Sequence, residues 1–319
     1  MTKIGLVSNP RSRRNRLGLT ELETVVRGRP DLVHRHLGTN AEAAAILADL
    51  ARQEVDVLAI NGGDGTVQRL LTALLGELNL DRLPLIAVLA GGTTNLIAGD
   101  VGLPGPPIRG LRRLLDMVAG GGLDLCLRRR SVMRVDHLAG LTPQFGMFLG
   151  IGALAHAVGD HAVRDARRNL PGPLMLALTV MRVLADGLKP RLRRRILRDE
   201  TIRLALDDGP VHEARRLLMF VTTLDRLALG ITPYWNQSAA PLRFTSVAAA
   251  PPRLLCASVR VLAGGGRGLP AEYYGSGSAR RLDLGLINGV ALDGEIFAPV
   301  PGCLIKVTAP RELRFVSCC

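Results

Sequence analysis

Asp64 lies in the tightest turn of the chain, inside "VDVLAINGGDGTVQRLLTALL" (Val55 to Leu75). "DVLAI" reads as a fully buried strand, and Val67, Leu70, Leu71, Leu74 and Leu75 fall on one helical face, so Gly62, Gly63 and Gly65 occupy a strand-to-helix turn. In such a turn backbone N–H groups converge on an anion at the positive end of the following helix. Glycine suits it because a Cβ would block close approach or forbid positive φ. This is the chemistry of a phosphate cradle. A carboxylate there is repelled by phosphate unless a divalent cation, directly or through water, lies between them. The turn therefore points to a metal–nucleotide complex. The simpler alternative is a Gly-rich βα turn in which Asp64 caps the helix.

The elements that must position this carboxylate alternate along the first part of the chain. "KIGLVSN", "LVHRHL", "VDVLAI", "LPLIAVL" and "LDLCLR" read as strands. Helical patterns lie between most of them: around Leu17 to Val26, "NAEAAAILADLARQ" with Asn40 as N-cap, the run after Thr66, and "IRGLRRLLDMVAG". Alternation of this kind implies a parallel sheet with helices on both faces and ligands beyond the C-terminal strand ends. The loops expected there, "SNPRSRRN", "GTN", "NGGDGT" and "AGGTTN", are rich in Gly, Asn, Ser and Thr.

After about Asp124 the texture changes to short, turn-bounded strands: "SVMRVDHL", "FGMFLGIG", "TIRLALDDGPVHEARRLLMFVTT" with a hairpin turn at Asp208 and Gly209, "LLCASVRVL", "LINGVAL" and "CLIKVTA". "YYGSGSAR" near Tyr274 reads as a flexible turn. A helical insert is expected over about 153–188, trailed by a basic run of Lys189, Arg191, Arg193, Arg194, Arg195 and Arg198. The expected organisation is an α/β domain over 1–123 and a β-rich, sandwich-like domain over 124–319, packed around a cleft.

Composition narrows the partners. The chain has 319 residues, 3% of them aromatic, and a formal net charge of +13 carried mostly by arginine. Arg clusters suit phosphates, and so few aromatics give little material for stacking bases, so an anionic membrane surface ranks above nucleic acid. The bland alternative is a solubilising basic surface. "GPLMLALTVMRVLADGL" (Gly172 to Leu188) is too short and too charged to span a bilayer, though it could lie on one. The N-terminus lacks a signal-peptide pattern, and five cysteines without C-x-x-C spacing argue for a reducing, cytoplasmic compartment; Cys318 and Cys319 read as incidental thiols. The six histidines show no H-E-x-x-H spacing, His34 and His36 fall on one strand face, and no role is assigned to them.

The ordered set of motifs resembles the diacylglycerol kinase catalytic-domain family, which includes sphingosine and ceramide kinases and bacterial soluble lipid kinases. "SNPRS" (Ser8 to Ser12) is similar to the family's opening phosphate loop, "GGDGT" (Gly62 to Thr66) to its signature, and "GGTTN" (Gly91 to Asn95) to its second nucleotide loop. "LDL" around Asp124 resembles its crossover strand and "DGE" (Asp293 to Glu295) its late acidic motif. The resemblance implies a lipid kinase using ATP and Mg²⁺. Asn9, Arg11, Ser12, Thr39, Gly62, Gly63, Gly65, Thr66, Gly92, Thr93 and Asn95 would contact the nucleotide along with Asp64. Asp64 and Asp124 would organise Mg²⁺ and water, with Asp64 the metal residue, and Glu295 would be the general base. The partners implied are a lipid substrate and peripheral contact with an anionic membrane, with room left for a homodimer.

The chain departs from the family pattern at four points. Gln68 and Arg69 replace an Asn-Glu pair, and Leu96 follows Asn95 where an aspartate is usual, unless Asp100 reaches back to the loop. No Asp-Gly pair for a structural Mg²⁺ appears in "FTSVAAAPPRLLCASVRVL", so no structural metal is expected there. The serine of "NPRSRRN" is not followed by glycine, and Arg13 and Arg14 could meet phosphates instead. Two other readings stand beside the lipid kinase. One is a small-metabolite kinase of NAD-kinase type, whose Thr-Pro-Thr-Gly-Ser-like stretch is missing here, "GITPYWN" being the nearest phrase. The other is a non-catalytic membrane-associated relative, favoured by the lost acidic groups and opposed by Asp64 and Glu295.

Overall fold

The computed structural model describes residues 2–317 except 40, 157, 159–199, 263 and 264. The expected cap Asn40, the insert beyond residue 158, the basic run from Lys189 to Arg198, His161 and the two terminal cysteines thus lie outside the described residues. The chain forms two compact units, Met1–Arg130 together with the chain from Glu312 onward, and Ser131–Arg311.

The first unit is an α/β layer built on four parallel strands, β1 (Ile4–Ser8), β2 (Leu32–His36), β3 (Val57–Gly62) and β4 (Leu85–Ala90), in the order β2-β1-β3-β4. Every residue of β1 and β3 is buried, as their unbroken apolar character demands of strands covered on both faces. Helices α1 (Asn15–Val26), α2 (Glu42–Arg52), α3 (Asp64–Thr72), α4 (Leu96–Val101) and α5 (Pro107–Ala119) connect and cover them. On one face Leu22 of α1 and Leu111, Leu114 and Leu115 of α5 join Ile4, Leu6, Val57 and Ala87 in a single core. On the other, Leu50 of α2 packs where Gly5 lacks a Cβ. Because β1 pairs with β2 on one side and β3 on the other, the chain leaves β1 and β3 in opposite directions. The crevice this opens at their C-terminal ends is the usual ligand site of such sheets.

Three local differences from expectation appear. Helix α3 runs on into a π-helical turn, Ala73–Glu77. The "LDLCLR" segment begins as a 3₁₀ turn, Leu123–Cys126, before strand β5 (Leu127–Asp136). The boundary expected at residue 124 falls after Arg130, since Arg130 is ion-paired with Asp100 of α4, and the chain from Glu312 returns to the first unit, where Phe315 pairs in parallel with Ile86 of β4.

The second unit is antiparallel. The long strand β9 (His212–Thr222) pairs with β8 (Glu200–Leu206) along its first half, with β7 (Phe148–Gly152) along its second, and with β10 (Leu242–Ala248) on its other edge. β6 (Gln144–Gly146) pairs with β5, β11 (Tyr274–Ala279) with β10, and β12 (Arg281–Gly285) joins β8 to β15 (Ile305–Val316). A hairpin of β13 (Val290–Leu292) and β14 (Glu295–Phe297) is carried on β7. The core gathers Leu149, Met219, Val221, Leu282, Leu292 and Ile305.

Two segments contradict the sequence reading. "LLCASVRVL" is a helix, α6 (Leu254–Leu262), whose Leu254, Ala257 and Val261 pack with Trp235, Val247 and Tyr274 while Val259 is exposed. Over nine residues an alternating pattern and a 3.6-residue period share most apolar positions, and here the helical one wins. "YYGSGSAR" is a paired strand, and its glycine has a cross-strand reason: a Cβ on Gly277 would meet the Phe244 ring at 3.2 Å.

Candidate functional site

The loops after β1, β3 and β4 are fastened into one body at the C-terminal edge of the first sheet. Gly62 and Gly63 close β3, and Gly63 serves as the extended N-cap of α3. A Cβ on Gly62 would fall 2.5 Å from the Thr66 side chain, and one on Gly92 would fall 2.3 Å from the Gly63 Cα. Gly63, Gly91 and Gly92 are therefore needed because one loop backbone lies directly against the other, and Gly62 because Thr66 of its own loop fills the space. Gly91 donates its N–H to the Gly62 carbonyl at 2.9 Å, which locks that approach.

Asp64 has a structural task beside the metal role expected of it. It is the first residue of α3, but its carboxylate turns away from its own helix and accepts the N–H of Leu96 at Oδ2 and of Ile97 at Oδ1, both at 3.0 Å. It caps the neighbouring helix α4, filling the donors that any helix N-terminus leaves open. Burial pushes the Asp64 carboxyl above the usual carboxylate range, against the pull of the Ile97, Leu96 and Asn95 amides. Asn95 stands in left-handed geometry (φ 53°), and its amide closes the second loop on itself: Gly92 N–H donates to Oδ1 at 2.8 Å, and Nδ2 donates to the Gly92 carbonyl at 2.9 Å. Leu96, where an aspartate was expected, thus gives its backbone rather than its side chain to the site.

Asn9 ties in the first loop. Its Nδ2 donates to Thr66 Oγ1 at 2.9 Å, and its Oδ1 accepts the Arg11 N–H at 2.9 Å. The Asn9 N–H reaches the Asn61 carbonyl at 3.0 Å, and Ser12 N–H closes back on the Asn9 carbonyl at 3.1 Å. Arg14 donates backbone N–H to Gly91 and guanidinium to Ala90, so it braces two loops instead of standing free for phosphate. Arg11 and Thr39 are exposed, while Thr93 and Gly65 are half-buried. Glu42 of α2 accepts the N–H of Gly38 and Thr39, and its carboxyl lies below the usual range because of these bonds, with a smaller electrostatic share from Arg11.

Residues not foreseen complete this body. Asn61, next to last in β3, is fully buried, donates Nδ2 to Ser8 Oγ at 3.1 Å, and leaves its Oδ1 without a protein partner. Asn15 Nδ2 donates to the Asn9 and Asn61 carbonyls. A polar residue near the end of a fully apolar strand was the signal available for Asn61. Asp100 is buried and holds Arg130, with Nε to Oδ2 at 2.8 Å.

The remaining acidic residues stand elsewhere. Asp124 is exposed on the 3₁₀ turn, with no side-chain hydrogen bond or ion pair among the described residues. Glu295 belongs to the second unit and opens β14, half-buried. Its hairpin turns over Asp293 and Gly294, both at positive φ (48° and 91°), the two-residue geometry that Asp-Gly favours. The Asp293 carboxylate is buried and accepts the N–H of Met147 and Phe148, each at 2.9 Å, which pins the hairpin to the break between β6 and β7. Gly146 makes room for it, since a Cβ there would lie 2.4 Å from Asp293 Oδ2.

The loops fit an anion accompanied by a divalent cation. They present a surface that glycine keeps bare and one carboxylate, Asp64, whose oxygens each keep a second lone pair beyond the amide they accept. Mg²⁺ needs only one or two carboxylates when phosphates and water supply its other ligands.

The comparisons agree with this geometry. The chain aligns in structure with a protein from Bacillus anthracis str. Sterne at a TM-score of 0.69 and 17% identity, over 98% of this chain and 96% of that one. A diacylglycerol kinase structure from the same organism aligns at 0.59 and 17% over 98% and 96%. Yeast NADH kinase complexed with NADH aligns at 0.53 and 10% over 100% and 84%. At these identities the likeness is one of fold. No curated protein matches the chain. Residues 3–120, which carry every loop of the first unit described above, match the model of the diacylglycerol kinase catalytic domain.

Proposed function

We propose that the protein is an ATP-dependent lipid kinase that phosphorylates a hydroxyl of diacylglycerol or a related lipid. The observation that carries the reading is the Gly63–Gly92 approach fixed by Asp64 on α4, because it sets two Gly-rich turns as one rigid, Cβ-free surface at the switch point of a doubly wound sheet. Backbone N–H groups of these turns hold the ATP phosphates, with Arg11, Ser12 and Thr39 on the neighbouring loops. Bound Mg²⁺ supplies neutralisation of charge on the transferring phosphoryl group. Glu295 accepts the proton of the lipid hydroxyl, and Asp293 positions it through the pinned hairpin. Asp124, exposed on its turn, would assist only by ordering water.

The protein would work at the cytoplasmic face of an anionic membrane. The charge of +13 supports this, and no described helix is long and apolar enough to cross a bilayer. Incubation with labelled ATP, Mg²⁺ and either a lipid panel in anionic vesicles or NAD⁺ and NADH tests the assignment. A labelled lipid phosphomonoester is expected. Label appearing in the dinucleotide alone would transfer the chain to the small-metabolite class, and label in neither would leave the non-catalytic reading.

A further inference from the structure

We infer that Glu23, His34 and His36 form a zinc-type metal site on the edge of the first unit, beside the opening loop at Ser8 and independent of the kinase reading. His34 and His36 are two residues apart on β2 and so project from the same face, with ring centroids 4.6 Å apart. Glu23 reaches them from α1, its Oε1 lying 3.4 Å from His36 Nε2. One ligand atom from each of the three lies within 4.8 Å of the others. A tetrahedral Zn²⁺ with bonds near 2.0–2.1 Å needs its ligands roughly 3.4 Å apart. The His36 and Glu23 side chains, 48% and 38% exposed, have the freedom to close that gap.

The chemistry of the set favours a borderline transition metal. Two imidazoles and one carboxylate are a donor set for Zn²⁺ with a fourth position left to water, whereas Mg²⁺ prefers oxygen alone. His34 is also oriented in the way ligating histidines are: its Nε2 is 2.9 Å from Ser8 Oγ, which in turn accepts the Asn61 amide. Arg35, between the two histidines in sequence, is committed to Asp49 at 2.8 Å and leaves the face without an opposing free cation from β2. A plain ion pair between His36 and Glu23 is the competing account of the same contacts.

Zn²⁺ titration of the full chain against a chromophoric chelator, with Mg²⁺ as a control, separates the two. The wild-type protein is expected to hold one Zn²⁺ that His36→Ala and Glu23→Gln each weaken by at least about tenfold, with unchanged far-ultraviolet circular dichroism. Co²⁺ substitution should give visible d–d bands without the near-ultraviolet charge-transfer band of thiolate ligation, which keeps the cysteines apart from this site. Equal Zn²⁺ binding by wild type and both variants, or a Co²⁺ spectrum showing thiolate and unmoved by His36→Ala, would overturn the inference.

Discussion

Replacing Asp64 by Asn would keep the side-chain shape and remove one of the two acceptors on which α4 rests, while turning an NH₂ group toward a backbone N–H. The unsatisfied donor should cost about 1–3 kcal/mol of folding stability. The loss should appear in denaturant unfolding of the protein free of nucleotide and Mg²⁺, and unchanged stability there would mean that the bracing role is wrong. Glu295→Gln belongs to the opposite class. It should leave stability and Mg-ATP binding by calorimetry nearly intact and reduce turnover by about two to four orders of magnitude, the usual range for a positioned general base. Retention of more than about a tenth of wild-type turnover would remove the base assignment. Both residues were legible from glycine spacing and motif order. What the sequence could not disclose is where each carboxylate is spent: Asp64 serves a helix 32 residues away along the chain, and Asp100 pairs with Arg130. Such pairings are set by tertiary packing, to which local pattern is blind.

Among the elements, the β13–β14 hairpin is the one on which Glu295 depends. Its two-residue turn was readable from Asp-Gly, but its anchor was not, because Met147 and Phe148 lie 146 and 145 residues before Asp293. Gly146→Ala would drive a methyl into Asp293 Oδ2 and into Leu292 Cδ1, 2.4 and 2.6 Å away, in a part of the core where overpacking costs about 1–3 kcal/mol. Asp293→Ala would instead strip acceptors from two buried amides and place alanine at positive φ. Both variants should therefore lower lipid-kinase turnover with little change in ATP affinity, and show faster hydrogen exchange at Met147 and Phe148. Protection at those two amides equal to wild type would separate the hairpin from the anchor and sink the argument. The misread segments teach the same lesson in reverse. The run at α6 is apolar at positions that suit both periods, and only its packing on Trp235 and Tyr274 decides for a helix. In β11, where glycines suggested a loose turn, Gly277 lets Phe244 lie across the strand.

At the scale of the whole molecule, the division into an α/β part and a β-rich part was visible as a change of periodicity, but the return of the chain end to the first unit was not. Residues beyond Arg311 look like the tail of the second domain, yet Leu313, Phe315 and Val316 are buried, and Val316 joins the core of Ile4, Leu22 and Leu114. The backbone confirms the attachment: Phe315 pairs with Ile86, and Ser317 N–H reaches the Cys126 carbonyl at 2.7 Å. A fragment ending at Arg130 should accordingly lack a strand next to β4 and expose part of its core, although it contains every residue matched to the kinase family. Phe315→Ala in the full chain isolates the effect and should cost about 3–5 kcal/mol, the usual range for emptying a buried phenylalanine site. Urea unfolding would read the variant, and near-ultraviolet circular dichroism with thermal melting would read the fragment. A fragment of residues 1–130 that melts as cooperatively as the full chain, or a Phe315→Ala protein within about 1 kcal/mol of wild type, well short of that range, would show that the last strand is an ornament of the first unit rather than part of its fold.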